Sequence, residues 1–224
     1  METKAFWEGW WSKFESSEWA DAPSLFAQFA ISYFPKQGNL LELGAGLGKD
    51  SRYFVRSGYE VTSSDFSDSA LRISQWETQM QRLKMEYINF DLRQPFPFED
   101  EKFDIVYSHA VLHYFNHQTT DQIFREIHRV TKPKGIVATL LKSKEDPEVL
   151  KSLKLGENFY KTPAGLVERF FSVDEIHTEV AGLFNPIVMD SSEQTHETEN
   201  ATFIRFIGTK IEKGKQQPHP APNN

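Results

Sequence analysis

The chain contains 224 residues, with 32 acidic against 25 basic side chains, a formal net charge of −7 and no cysteine. This length suits one domain with modest additions, and a hydrophobic fraction of 39% with 14% aromatic residues excludes a disordered chain. The absence of cysteine excludes disulfide frameworks, thiolate metal sites and cysteine nucleophiles, and the acidic balance disfavours a nucleic-acid binder, which needs a basic face.

Residues 1–34 are predicted to be helical because aromatic and apolar side chains recur at spacings of three and four residues. The first stripe contains Phe6, Trp7, Trp10, Trp11 and Phe14. Pro23 suits the start of a second helix. The tryptophan-rich stripe has two interpretations, a helix packed on the domain body and a lid over a site, and we assign residues 1–37 to such an aromatic helical lid.

Strands and helices alternate after this segment. The predicted strands are 39–44, 59–64, 85–90, 103–108, 136–141, 185–190 and 201–210, and the predicted helices are 49–57, 67–80, 118–130 and 172–184. Alternation with short links predicts an α/β fold, in which a mostly parallel sheet of seven strands is covered on both faces. The last two strands lack an intervening helix, so we expect them to form an antiparallel hairpin, with a polar turn over residues 191–200.

Two polar segments flank the later elements. The insert, residues 142–170, is rich in lysine and too long for a simple connection, so it is either a solvated face or a wall of a binding pocket. Residues 212–224 are rich in proline and asparagine, and we predict a disordered tail there. No run of about 18 apolar residues and no secretory signal occur, so we expect a cytoplasmic protein that binds no membrane.

A glycine-rich loop, LELGAGLGKD over residues 41–50, follows the first predicted strand and opens a helix. Glycines allow a ligand to approach the backbone closely, and a helix N-terminus favours a negative group. Lys49 stands where a dinucleotide fingerprint has its third glycine, and Glu42 disfavours a bound pyrophosphate. Asp65 and Asp91 close the next two strands, so the pattern favours a ligand that carries an ammonium group and hydroxyls.

These motifs resemble those of the class I S-adenosylmethionine-dependent methyltransferases. The similarity covers about residues 38–210 and is carried by ELGAGLG, SSDFS, NFDL and FDIVYSHAVLHY, four motifs in the family's order. The resemblance implies a three-layer, Rossmann-like sandwich and S-adenosylmethionine as the cofactor. It also implies direct, in-line transfer of a methyl group.

The resemblance implies a set of cofactor-binding residues: Glu42, Gly44, Ala45, Gly46, Asp65, Phe66, Asp91, Leu92 and Ser108. The loop would contact the methionine part, with Glu42 orienting the loop and the ammonium group. Asp65 would hold the ribose and Phe66 would lie against the adenine. Asp91 and Leu92 would meet the adenine, and Ser108 would lie under the sulfonium.

His109 is the best candidate for a general base, if the acceptor must lose a proton, although a hydrogen-bonded structural histidine is the alternative. His113 and His117 follow at intervals of four, which on a helix would make a metal face, but no carboxylate joins them and we predict no metal site. The candidates for lining the acceptor pocket are Trp10, Trp11, His113 and Tyr160, with Tyr114 as a further possibility.

The acceptor is predicted to be a small molecule. The signature of amino-methylating enzymes, N/D-P-P-Y/F, does not follow the fourth strand, and the covalent route to cytosine needs a cysteine. We expect a monomer or homodimer that binds no nucleic acid. Two other functions stay open, a protein that binds S-adenosylmethionine without transferring its methyl group and a nicotinamide-dependent oxidoreductase, the latter disfavoured by Lys49 and Glu42.

Overall fold

The computed structural model describes residues 4–11, 22–156, 158–196 and 199–212, without the side chains of residues 10–11 and 193–200. Its strands are β1 (Asn39–Leu43), β2 (Glu60–Asp65), β3 (Glu86–Asn89), β4 (Phe103–His109), β5 (Thr131–Lys142), β6 (Leu153–Lys154), β7 (Phe159–Lys161), β8 (Val167–Arg169), β9 (Phe184–His196) and β10 (Glu199–Lys210). Seven of them form one sheet in the order β3-β2-β1-β4-β5-β10-β9, and β6, β7 and β8 form a second.

The large sheet has the predicted mixture of strand directions. The pairs β1–β2, β1–β4, β2–β3 and β4–β5 are parallel, and β10 is antiparallel to both β5 and β9. Chain order reverses at β1, whose neighbours are β2 on one side and β4 on the other. In open sheets of this kind, ligands bind at the carboxyl ends of the strands beside that reversal.

Helices cover both faces of this sheet, which makes the predicted three layers. They are α1 (Lys4–Trp11), α2 (Leu25–Ala30), α3 (Lys49–Arg56), α4 (Asp68–Met80), α5 (His117–Val130), α6 (Glu148–Lys151) and α7 (Val173–Val180). Apolar residues of α5 and α7 fill one core, and those of α2 and α3 fill the other. No helix in the described ranges is both long enough and apolar enough to cross a membrane.

Three predicted boundaries were wrong. The helix α7 ends at Val180 and not at residue 184, since Gly182 takes a left-handed φ of 74°. Most of the predicted polar turn is strand, because residues 191–196 continue the ladder between β9 and β10, which polar residues can join through their backbones. β5 begins at Thr131, directly after α5, and is bulged before Ile136.

The insert and the N-terminal segment each contain several short elements. The insert contains α6 and the small antiparallel sheet of β6, β7 and β8. The predicted helix over residues 1–34 corresponds to α1, α2 and a 3-10 turn at Ile31–Tyr33, while residues 12–21 lie outside the description. Residues 213–224, nearly all of the predicted tail, lie outside it as well.

Candidate cofactor and acceptor site

The glycine loop joins β1 to α3 at the point where the chain order of the sheet reverses. Gly44, Gly46 and Gly48 have φ values of 67°, 53° and 72°. A Cβ atom on Gly44 would lie 2.5 Å from Cγ2 of Val111, so the loop depends on glycine for space as well as for its backbone angles. The Ala45 amide donates to the Ser64 carbonyl at 2.8 Å, which fastens the loop to β2.

Asp65 holds the glycine loop from the end of β2. Its carboxylate accepts hydrogen bonds from the backbone amides of Gly46 and Ser67, both at 2.9 Å, and the residue is 7% exposed. Burial raises the pKa of Asp65 to about 6, although these amides oppose the shift, and the Glu8 carboxylate adds to it. The predicted ribose ligand is therefore also a support of the loop.

Glu42 lies beneath the loop, 3% exposed, and accepts a hydrogen bond from the Ser51 hydroxyl on α3. Burial, and then the neighbouring Asp50 carboxylate, raise the pKa of Glu42 well above its usual value, while Ser51 and the buried Arg52 oppose this. Arg52 donates to the Leu47 carbonyl at 2.7 Å. The position of Glu42 suits the predicted role of orienting the loop.

Sequence reasoning missed a buried network around Asp50, in the first turn of α3. Its carboxylate accepts hydrogen bonds from the Ser24 amide, the Ser24 hydroxyl and the Tyr107 hydroxyl, each at 2.7 Å. Ser24 is also the N-cap of α2, so this network connects the N-terminal segment, the loop helix and the central strand β4. An acidic residue is ordinary in a first helical turn, so its spacing gave no signal of these partners.

The remaining cofactor candidates lie at the same edge of the sheet. Asp91 follows β3 and is bound by the Arg93 side chain, whose Nε donates to both carboxylate oxygens at 2.8 Å. Burial acts to raise the pKa of Asp91, but Arg93 outweighs it and the net shift is downward. Phe66 is half-buried, Leu92 packs in the core, and the buried Ser108 hydroxyl donates to the Leu43 carbonyl at 3.3 Å.

The three histidines of the fourth motif lie on three different elements. His109 ends β4 and is half-buried, and its ring centroid lies 6.5 Å from that of Phe26. His113 belongs to a 3-10 turn, Leu112–Tyr114, and His117 begins α5 and contacts Glu179 at 2.6 Å. The idea that they share one helix face was therefore wrong. The described residues hold no group of three metal-binding side chains.

A compact group of polar side chains occupies the carboxyl end of β4 and β5. We define the Lys142 cluster as His113, Tyr114, Lys142, Glu148 and Glu168. The Lys142 ammonium contacts the Glu148 carboxylate and lies 2.6 Å from the Glu168 carboxylate. Tyr114 also hydrogen-bonds to Glu168, and His113, 1% exposed, has no partner for Nδ1 among the described residues. Only His113 and, as a possibility, Tyr114 had been predicted to line a pocket.

Aromatic rings join this cluster to the insert. The Lys142 ammonium lies 5.4 Å from the centroid of the Phe170 ring, and the Tyr160 ring packs edge-on against Phe170 at 5.4 Å. Tyr160 itself is half-buried in β7. The predicted pocket residue Tyr160 thus packs against the ring that lies beside Lys142, and not against Lys142 itself.

The helix α1 touches both sides of the same edge. Glu8 accepts hydrogen bonds from the backbone amides of Asp68 and Ser69, at 2.7 and 2.9 Å, at the start of α4. The Trp7 ring packs edge-on against Tyr114 at 5.0 Å, on the side of the Lys142 cluster. The side chains of Trp10 and Trp11 lie outside the description.

Part of this chain matches a known protein family. Residues 41–139 match the family described as "Methyltransferase domain". The chain is 33% identical over 115 residues to a malonyl-[acyl-carrier protein] O-methyltransferase from Pseudescherichia vulneris. The aligned region is 51% of this chain and 43% of that protein. It is 34% identical over 108 residues to a demethylmenaquinone methyltransferase from Streptomyces griseus, in an alignment that covers 48% of this chain and 44% of that protein. The chain therefore spans less than half the length of these two curated relatives.

Solved structures share the fold. A Methanosarcina mazei protein described as an S-adenosylmethionine-dependent methyltransferase superposes with a TM-score of 0.73 at 19% identity, covering 82% of this chain and 97% of that one. The 1,6-didemethyltoxoflavin-N1-methyltransferase of Burkholderia thailandensis, solved with S-adenosylhomocysteine, gives 0.68 at 18% identity and covers 95% and 92%. Residues 41–139 of this chain thus match a methyltransferase family model, and the chain shares the fold of solved S-adenosylmethionine-dependent methyltransferases.

Proposed function

We propose that this protein transfers a methyl group from S-adenosylmethionine to a small-molecule acceptor. One observation carries the proposal: the glycine loop and Asp65 meet through the Gly46 amide where the chain order of the sheet reverses. The match to a methyltransferase family model supports it, as do the small-molecule substrates, demethylmenaquinone and 1,6-didemethyltoxoflavin, named for two of the similar proteins.

The residues of the loop fit this cofactor. The Asp65 carboxylate accepts the Gly46 and Ser67 amides through different oxygens, and because each carboxylate oxygen can accept more than one hydrogen bond, the group can also accept from ribose hydroxyls. The glycines of the loop present backbone rather than side chains to the methionine part. In this proposal Phe66 and Leu92 cover the adenine, Asp91 accepts from its amino group, and Glu42 holds the loop from below.

The protein mainly has to position the two reactants. When bound, the cofactor supplies a methyl carbon that is already activated by its sulfonium. The chain's own task is to align an acceptor with that carbon and to exclude water. We assign Ser108 to the floor of the site and His109, at the end of β4, to acceptance of a proton from acceptors that must lose one.

The helix α1 is proposed to act as a lid. It bridges the start of α4, on the cofactor side, and Tyr114, on the acceptor side, so its removal would open both to water. Trp10 and Trp11, on the same helix, are proposed to line the acceptor pocket with His113 and Tyr160.

Calorimetry and a transfer assay test the proposed function. S-Adenosylhomocysteine should bind with a measurable Kd while NADH does not, and a radiolabelled methyl group should move from S-adenosylmethionine to members of a small-molecule panel. Binding of NADH without S-adenosylhomocysteine would refute the proposal. Binding of S-adenosylhomocysteine without any transfer would instead favour a binding protein that has no transferase activity.

A further inference from the structure

We propose that the Lys142 cluster is the acceptor subsite and that it selects an uncharged aromatic acceptor, one that donates a hydrogen bond from a hydroxyl or thiol, over a carboxylate. This inference rests on the proposed function, because it assumes that the carboxyl end of β4 and β5 receives an acceptor. It goes further in naming the chemical class of the acceptor and the residues that choose it.

The charges of the cluster argue against a carboxylate. One ammonium, that of Lys142, contacts two carboxylates, those of Glu148 and Glu168, so the ionised cluster has a net negative charge. Burial raises the pKa of Glu168 despite its ion pair. Burial acts to lower the pKa of Lys142, but the two glutamates outweigh it and the net shift is upward. The two glutamates thus stabilise the charged form of Lys142 and occupy its ammonium.

Arg169, a buried cation on β8 beside Glu168, is committed elsewhere. Arg169 donates to the Phe115 carbonyl at 3.2 Å and to the Thr120 hydroxyl at 3.1 Å, and its guanidinium lies 4.2 Å from the centroid of the Phe171 ring. It also lies 3.7 Å from the Glu179 carboxylate. An acceptor carboxylate would therefore meet Lys142 only in competition with two glutamates.

His113 supplies an acceptor for the hydrogen bond that the ligand donates. Its ring is 1% exposed, and its Nδ1 atom has no hydrogen-bond partner among the described residues. Buried polar atoms are nearly always paired, so an atom of this kind at a binding edge indicates a ligand partner. Burial, and then Lys142 and His109, lower the pKa of His113, which keeps its imidazole neutral and able to accept through one nitrogen.

The surroundings favour an aromatic acceptor. Tyr114 packs against Trp7 at 5.0 Å, and the Phe170 ring centroid lies 5.4 Å from the Lys142 ammonium, so aromatic rings border the cluster. Rings of this kind contribute contact area and edge-to-face packing to a planar ligand. Glu168 accepts from Tyr114, and this bond would orient the phenol that faces the acceptor.

The test uses three probes with one ring system: 2-naphthol donates a hydrogen bond, 2-naphthoate is an anion, and 2-methoxynaphthalene has no donor. Their Kd values are measured by calorimetry on the full chain saturated with S-adenosylhomocysteine. We expect 2-naphthol to bind about tenfold more tightly than either other probe, the size of one good hydrogen bond to a buried acceptor.

Variants assign this preference to residues. Glu148→Gln/Glu168→Gln removes both carboxylates, so 2-naphthoate should gain affinity about tenfold, while His113→Gln should reduce the preference for 2-naphthol over 2-methoxynaphthalene. Glu126→Gln, which alters a carboxylate paired with Arg129 on α5, is the matched control and should change neither ratio. If the double variant does not fold, Glu148→Gln alone, at a side chain that is 31% exposed, should shift the ratio in the same direction.

The outcomes separate this inference from the proposed function. If S-adenosylhomocysteine binds tightly, three results would overturn the acceptor assignment alone. These are tighter binding of 2-naphthoate than of 2-naphthol, no binding of any probe, and unchanged ratios of the probes' Kd values in the folded glutamate variants. If S-adenosylhomocysteine itself does not bind, the proposed function and the acceptor assignment fall together.

Discussion

The proposed cofactor side and the proposed acceptor side share one edge of the sheet but hold their carboxylates in different ways. On the cofactor side, Asp65 is bound by two backbone amides, those of Gly46 and Ser67. On the acceptor side, Glu168 is bound by the side chains of Lys142 and Tyr114. The first arrangement depends on the course of the backbone, and the second on three residues far apart in the sequence.

This difference has a consequence for specificity. Backbone amides are present whatever the side chains are, so a short glycine motif is enough to specify the cofactor side. The acceptor side is built from β5, α6, β8 and the 3-10 turn after β4, and each of its polar groups can be exchanged without moving the loop. Changes to the loop should therefore abolish cofactor binding, while changes to the Lys142 cluster should alter the choice of acceptor.

The largest effect is expected from Gly44→Ala. At a φ of 67° an alanine is strained, and its Cβ would lie 2.5 Å from Cγ2 of Val111. Strain and overpacking together should lower the free energy of unfolding by about 3 kcal/mol and displace the loop that meets the cofactor. Urea denaturation measures the first effect, and calorimetry with S-adenosylhomocysteine measures the second.

The companion variant Val111→Ala separates the two causes. In the Gly44→Ala/Val111→Ala double variant the two closest contacts are removed, the Val111 Cβ remains at 3.2 Å, and the backbone strain is kept, so about 1–2 kcal/mol of the loss should persist relative to Val111→Ala alone. A Gly44→Ala protein that binds S-adenosylhomocysteine as well as the wild type would show that the loop does not carry cofactor binding.

The second effect concerns the ionisation of Asp65. Because the pKa of Asp65 is raised to about 6 in the fold, this group's contribution to stability falls as pH rises from about 4 to about 6. The ionised carboxylate accepts the ribose hydroxyls in our proposal, so affinity for S-adenosylhomocysteine should rise over the same range. Asp65→Asn should bind about tenfold more weakly at pH 7 and lose most of that pH dependence.

Asp91→Asn is the control, since Arg93 keeps the pKa of Asp91 low and no change in slope is expected between pH 5 and pH 7. Calorimetric titrations at several pH values compare the three proteins. An identical slope in wild type and Asp65→Asn would mean that another group, and not Asp65, controls the pH dependence.

The sequence allowed most of the fold to be predicted, because burial imposes a periodic pattern on strands such as β1 and β4 and on the capped helices α4 and α7. The polar half of the final hairpin was missed, since its backbone pairing leaves no apolar alternation at residues 191–196. The short strands β6, β7 and β8 were missed because two or three residues are too few to show a period.

Within the site, residues that are held by nearby backbone groups could be predicted from the sequence, and residues that are held by distant side chains could not. Asp65 and the glycines were found, because a motif next to a strand end defines their neighbours. The bonds from Asp50 to Ser24 and Tyr107 join residues 26 and 57 positions apart, and the Lys142–Glu168 pair also bridges separate elements. Such pairs follow from tertiary packing, and a single sequence carries no local signal for them.

The smallest effect is expected from Glu8→Gln, where α1 meets the cofactor side. Glu8 caps α4 through the amides of Asp68 and Ser69, so loss of its charge should lower the free energy of unfolding by about 0.5 kcal/mol. The charge of Glu8 also contributes to the raised pKa of Asp65, so the midpoint of the pH dependence of S-adenosylhomocysteine affinity should move to lower pH. Trp7→Ala, which alters the contact of α1 with Tyr114 but no charge, should leave that midpoint in place. Equal midpoints in Glu8→Gln and wild type would show that α1 and Asp65 are electrostatically independent, and the lid would then act only by covering the site.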